Sequence, residues 1–145
     1  MIIQHGVNRT SAETVFIAYR NMSGATITAN GGVCFDMGTT VDGVSSIKPA
    51  SASFLGWIGI ADKDVENTGY GIAQAWGYRD SVLLSHEGSS VTVTLGDALH
   101  IVNGQFGLNT STVQALSTTA SKYVICAATT TISAAAYTKG IIRCL

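Results

Sequence analysis

Apolar and polar residues alternate with a period of two along much of the chain, the spacing of strands with one buried face. Ser90-Val91-Thr92-Val93-Thr94-Leu95 is the clearest case, with Val91, Val93 and Leu95 on one face and hydroxyls on the other. It follows Ser81-Val82-Leu83-Leu84-Ser85 across His86-Glu87-Gly88-Ser89, a polar stretch that reads as a hairpin loop. Gly96-Asp97 then leads into Ala98-Leu99-His100-Ile101-Val102. Asn103-Gly104, a dipeptide suited to the positive φ angles of a type I′ turn, leads on to Gln105-Phe106-Gly107-Leu108. Residues 78–108 are thus predicted to form an antiparallel meander.

Upstream, Ala25-Thr26-Ile27-Thr28-Ala29 and Val33-Cys34-Phe35-Asp36 flank Asn30-Gly31-Gly32, a second hairpin signal. The apolar run 53–61 contains Gly56 and Gly59, which predict close backbone approach or a bulge inside a strand. The stretch 70–78 is similar. Alternation there puts Tyr70, Ile72, Gln74, Trp76 and Tyr78 on one face, which reads as a core or subunit-interface face in preference to a sugar-stacking platform. Residues 123–128 and 140–145 read as two more strands. The only helix candidates, 11–20 and 111–120, are short and contain β-branched residues. Nine or ten short strands predict an all-β domain, a compact antiparallel β-sandwich or small barrel with at most one or two short helices. Residues 1–24 are less clearly patterned and are expected to form an N-terminal arm, leaving 25–145 as the β-rich domain.

Composition narrows the function. Only 12% of the 145 residues are charged and the net charge is −1, against about 25% charged in an ordinary soluble domain. Eight scattered basic residues give no electrostatic footprint for a phosphate backbone, which argues against nucleic acid as a partner. A chain that is 46% hydrophobic is not disordered. Near-neutral charge on such a chain favours self-association. Cys34, Cys126 and Cys144 lack any C-x-x-C pairing and read as small buried apolar residues. The chain has neither a signal-peptide pattern nor an apolar run of roughly 18 residues, so the expectation is a soluble product of a reducing cytoplasm with no membrane partner.

Catalytic and metal-binding patterns are sparse. Ser85-His86-Glu87 are sequence neighbours, whose side chains would point to alternate faces of a strand and cannot assemble a triad by themselves. His5 and His100 lie in other segments, and the three histidines lack metal-site spacing. Asp62-Lys63-Asp64-Val65-Glu66 opens like a calcium loop, but Asn67 stands where the turn glycine belongs and Ala73 where the bidentate glutamate belongs. The expectation is a non-enzyme with no cofactor, metal or small-molecule substrate.

Residues 54–85 resemble capsid decoration (cement) proteins of tailed bacteriophages. The similarity lies in Phe54-Leu55-Gly56-Trp57-Ile58-Gly59-Ile60-Ala61, a short polar loop containing Asp64, then Tyr70-Gly71-Ile72-Ala73-Gln74-Ala75-Trp76-Gly77-Tyr78 leading to Ser81-Val82-Leu83. The ending Lys139-Gly140-Ile141-Ile142-Arg143-Cys144-Leu145 also resembles their apolar-Arg-small-Leu terminus. The resemblance implies a protein made in the host cytoplasm and carried on the capsid exterior of the virion. It would act there as a homotrimer that clamps adjacent major capsid proteins. For that role the candidate interface residues are Arg9 and Arg20 around the arm, Asp62, Asp64 and Asn67 in the charged loop, and Arg143 near the end of the sequence. The competing expectation is a virion fibre or spike module that binds a host glycan through Trp57 or Trp76.

Overall fold

The computed structural model of the protein describes residues 13–38, 42–48, 56–84, 91–102, 105–108, 124–132 and 134–144. Every regular element in them is a strand, as the β-branched and aromatic pattern predicts. They are β1 (Val15–Asn21), β2 (Gly32–Phe35), β3 (Ser45–Ile47), β4 (Trp57–Ala61), β5 (Tyr70–Leu84) and β6 (Val91–Val93), followed by β7 (Ala98–Val102), β8 (Gln105–Leu108), β9 (Val124–Cys126), β10 (Thr130–Ile132) and β11 (Ala136–Arg143).

The 15-residue β5 organises the others. Its first half pairs with β1 and β4, and its second half pairs with β11 and, at Leu84, with β8. The ladders running from β1 through β3, β2 and β4 return to β5 and close a ring. A second ring runs from β5 through β11, β9, β7 and β8 and back to β5. Two small rings therefore share one strand, and closure pairs the edges that an open sheet would leave free. Pairing is antiparallel apart from β1–β3 and β5–β8. Strands β6 and β10 form a separate two-stranded ladder whose Val93 and Ile132 are buried in the second ring's core.

Two apolar clusters match the two rings. Tyr19, Val33, Ile58, Ala61 and Ala73 fill the first. Val82, Leu84, Leu99, Val124 and Ile142 build the second, which also takes in Cys34, Trp57 and Ile60 from β2 and β4. Strands β2 and β4 thus bury one face in each core. That is why the Trp57–Ala61 segment is apolar at every position instead of alternating.

The shared strand has to bend between the rings. Gly77 adopts φ +102°, and a Cβ there would strike the Glu13 carbonyl, so only glycine fits. Gly59 packs its α-carbon against the Gln74 carbonyl, the close approach its position predicted. Polar groups stabilise the bend. The Gln74 side-chain amide donates to the Trp76 carbonyl at 3.2 Å and the Tyr78 carbonyl at 3.0 Å. Arg79, with 11% of its side chain exposed, donates to Asn30 Oδ1 at 2.8 Å, Ala61 O at 3.2 Å, Ser81 O at 3.0 Å and Gln74 Oε1 at 3.2 Å. It also reaches Asp62 Oδ1 at 3.5 Å. One guanidinium thereby fastens the turn before β2, the end of β4 and both sides of the bend.

Several local expectations are corrected. The 78–108 meander does not form as such: β5 pairs with β11, and β6 pairs with β10. The seven-residue register with β11 seats Val82 beside Thr138 in the interior, more burial than the three-residue β6 offers. Only the β7–β8 hairpin holds, with Val102 opposite Gln105. Leu95 leaves its predicted face and is exposed, because the Asp97 carboxylate accepts from the Thr94 N–H and hydroxyl and turns the chain. The 25–29 strand reduces to one bridge between Ile27 and Val65, since Asn21 donates to Ala25 O and Val65 O and holds a turn there. Within the 11–20 helix candidate, residues 15–20 belong to β1. Of the arm expected over 1–24, residues 1–12 lie outside the described residues, whereas 15–21 are a fully paired strand. The 111–120 candidate also lies outside them.

Replacing Arg79 with Met removes charge-assisted hydrogen bonds from three segments at once, and a buried network of this kind is worth about 3 kcal/mol or more. A urea-unfolding series is expected to show that loss at an unchanged m-value, whereas a loss below about 1 kcal/mol would mean the bend is held by packing alone.

Candidate interaction surface

Alternation along β1 leaves Phe16 and Ala18 exposed, and Arg20 partly so, on one face. Antiparallel register sets Ala18 opposite Ile72 and Arg20 opposite Tyr70. The Arg20 guanidinium lies 5.8 Å from the Tyr70 ring centroid, a cation–π distance. Beside this face runs the Asp62–Asn67 loop, and between them lies a cleft of about 420 Å³ lined by Ala18, Asp62, Lys63, Asp64, Tyr70 and Ile72. Val65 and Gly71 complete its floor. Tyr70 is 74% and Ile72 46% exposed, so apolar surface stands open beneath a charged rim.

The loop is held rigidly. Asp64 Oδ1 accepts from the Ala29 N–H at 2.7 Å, Asn67 Oδ1 accepts from the Gly24 N–H at 2.9 Å, and Asp62 N–H donates to Ile72 O. The structure therefore sets Asp62 and Asp64 on one cleft, places Arg20 over the Tyr70 ring beside it, and makes Asn67 a brace for the loop. Arg9 lies outside the described residues. Arg143 stands apart on β11, opposite Trp76. There Tyr137, Lys139, Ile141 and Arg143 alternate outward, with Ile141 opposite the exposed Tyr78. Tyr78 donates its hydroxyl to Asp80 at 2.8 Å, and Lys139 lies 3.9 Å from the same carboxylate. Sequence reasoning missed this second face. Its signal was the outward alternation of 137, 139, 141 and 143, in a segment left partly unassigned.

The glycan reading loses one of its two tryptophans, because Trp57 is 6% exposed and sits in the core. Of the face expected over 70–78 to be core or interface, Gln74 is buried at 3% exposure beneath the bend while Tyr70, Ile72 and Tyr78 are exposed. Among the described residues no three His, Cys, Asp or Glu side chains gather as a metal site. His5 and His86, with its neighbours Ser85 and Glu87, lie outside the described residues. Among the described residues no helix is long and apolar enough to cross a membrane.

The perturbed groups have structural causes. Asp42 accepts from the Ser45 and Val44 N–H groups and the Ser45 hydroxyl, which together lower its pKa to about 2. Burial raises the Cys34 thiol to about 12 and also pushes Cys144 up. Cys126 is buried with its sulfur 2.8 Å from Ala128 O. No protein-family model matches the chain, and no curated protein matches it.

Thiols held in this way are poor nucleophiles. A disulfide-exchange reagent at pH 8 is expected to leave the native chain essentially unmodified and to titrate three thiols after unfolding. Prompt labelling of Cys34 in the native state would contradict the packing described. Asp42 has its folded pKa below the unfolded value of roughly 3.9. Its contribution to stability is therefore complete above that value and lost as pH falls from about 4 through about 2, and replacing Asp42 with Asn is expected to abolish the corresponding step in an acid-unfolding curve.

Proposed function

We propose that this chain is a non-enzymatic capsid decoration protein of a tailed bacteriophage, binding the outer surface of the major-capsid lattice as a homotrimer. The observation that carries the reading is the outward face of β5 and β11. Tyr78, Tyr137 and Ile141 are 38%, 55% and 43% exposed there. Aromatic and aliphatic side chains exposed side by side on a paired, rigid sheet suit a protein interface. The charges beside them are few, and Asp80 is already paired with Lys139 and Tyr78. Such a face covers a protein lattice without stranding unpaired ions. Arg143, on the same face, supplies a bidentate donor for a capsid carboxylate. The sparse charge of the whole chain fits a surface that is largely covered in the assembled particle, both by the lattice and by other copies of the chain.

The test is co-sedimentation with shells assembled from the major capsid protein of the virus whose genome carries this chain. Saturable binding is expected, weakened at least about tenfold by Ile141→Asp, since a desolvated aspartate at an apolar contact costs more than 1.4 kcal/mol. Absence of binding by the wild-type chain would overturn the reading. Light scattering is expected to give three times the 15.0 kDa chain mass, and a single-chain mass at micromolar concentration would remove the trimer from it.

A further inference from the structure

Residues 28–31 form a type II turn. The Gly31 N–H donates to the Thr28 carbonyl at 3.1 Å, and of the two central residues only Asn30 has a positive φ, +64°. Asparagine is one of the few residues that tolerates this conformation. Asparagine followed by glycine is also the pair most prone to amide loss, because glycine has no side chain to hinder attack by its own nitrogen. In that reaction the Gly31 nitrogen gives up its proton and bonds to Asn30 Cγ, the Cγ–Nδ2 bond breaks, and ammonia leaves with the proton. Water then opens the five-membered imide. Opening at Cγ leaves an aspartate in a normal backbone, and opening at the main-chain carbonyl leaves an isoaspartate with an extra methylene in the backbone.

The native turn holds every group this chemistry needs. Ring closure requires Asn30 ψ to rotate by roughly a third of a turn from the value near 0° that a type II turn gives its third residue. That rotation breaks the Gly31–Thr28 bond. The side chain is fixed as well, since Arg79 donates to Asn30 Oδ1 from Nη2 at 2.8 Å and from Nε at 3.2 Å. The Asn30 N–H donates to the Ala61 carbonyl at 2.9 Å, and the Asn30 carbonyl accepts from the Leu83 N–H at 3.1 Å. Arg79 also donates to the Ala61 carbonyl, so one guanidinium secures the turn through its side chain and through its main-chain partner. The same guanidinium polarises the Asn30 amide, which by itself favours attack. Polarisation has no effect while the nucleophile is out of reach and its N–H is given to Thr28.

We propose that Asn30-Gly31 is a latent deamidation site that the Arg79 network keeps closed, and that its reaction makes opening of the bend irreversible. The proposal is independent of capsid binding. An aspartate at this position still accepts from Arg79. The extra methylene of the isoaspartate displaces the main-chain groups that meet Ala61, at the end of β4, and Leu83, in the second half of β5. An isoaspartyl chain therefore fails to rebuild the junction between the rings, and survival of the fold becomes a matter of opening rate.

The experiment follows Asn30 by peptide mapping and mass spectrometry in the full-length chain at pH 8, native and in denaturing urea. Asn103-Gly104, the other Asn-Gly pair of the sequence, is mapped in the unfolded sample as the reference for an open chain. Where reaction follows the population of the open form, native conversion at Asn30 is expected to be at least about a hundredfold slower than in urea, and Arg79→Met is expected to raise the native rate at least about tenfold. Equal rates in native and unfolded wild type overturn the proposal, as does an unchanged rate in folded Arg79→Met. A wild-type series in urea below the unfolding transition needs no variant: the Asn30 rate is expected to rise with urea, and a flat series overturns the proposal. Refolding of the aged, unfolded chain reads out irreversibility. Isoaspartate at position 30 is expected to collect in the fraction that fails to refold, and its equal presence in both fractions overturns the proposed latch.

Discussion

A strand shared by two closed rings must turn from one to the other, and the Arg79 network around the Gly77 bend is what permits it. The bend takes backbone groups out of ordinary ladder geometry. Gln74 caps two of the carbonyls concerned, and Arg79 draws the Asn30 turn, the end of β4 and the Asp62 loop onto the same point. Buried polar networks stabilise only when every member is satisfied. Here a single guanidinium is engaged at all three nitrogens, so its position is set from several directions at once. The two cores meet along β2 and β4, whose opposite faces belong to different rings.

The same bend lays out the functional surfaces. Ahead of Gly77, β5 and β1 frame the cleft; beyond it, β5 and β11 form the exposed aromatic and aliphatic face. The loop beside the cleft is fixed by Asp64 and Asn67 and is tied through Asp62 to Arg79. One strand therefore sets the relation between the cleft and the exposed β5–β11 face.

Much of this was legible from residue order. The all-β class follows from alternation and from turn chemistry, and Gly59 announced the close approach it makes. Arg20 was read with the arm and Asp62 and Asp64 with a separate loop, and the cleft between β1 and that loop had no signal of its own in the sequence. What failed was partner choice. Thr92 and Val93 carry a strand signal, but nothing local says that β10 rather than β5 is their neighbour, because pairing across about 40 residues is decided by burial in the assembled core. Alternation puts Gln74 on a core or interface face without naming its partners, since the carbonyl geometry that satisfies its amide exists only after the bend forms. Leu95 reads as core until Asp97 turns the chain beneath it.

If the bend couples the rings, they open as one unit. Native-state hydrogen exchange is the direct measurement, comparing amides of β2 and β4 with those of β9 and β11 in the wild type and in Arg79→Met. The account predicts that both sets exchange with the same opening free energy, equal to that of global unfolding, and that both fall by the same amount in the variant. Loss of protection in one ring while the other keeps its full value would contradict it.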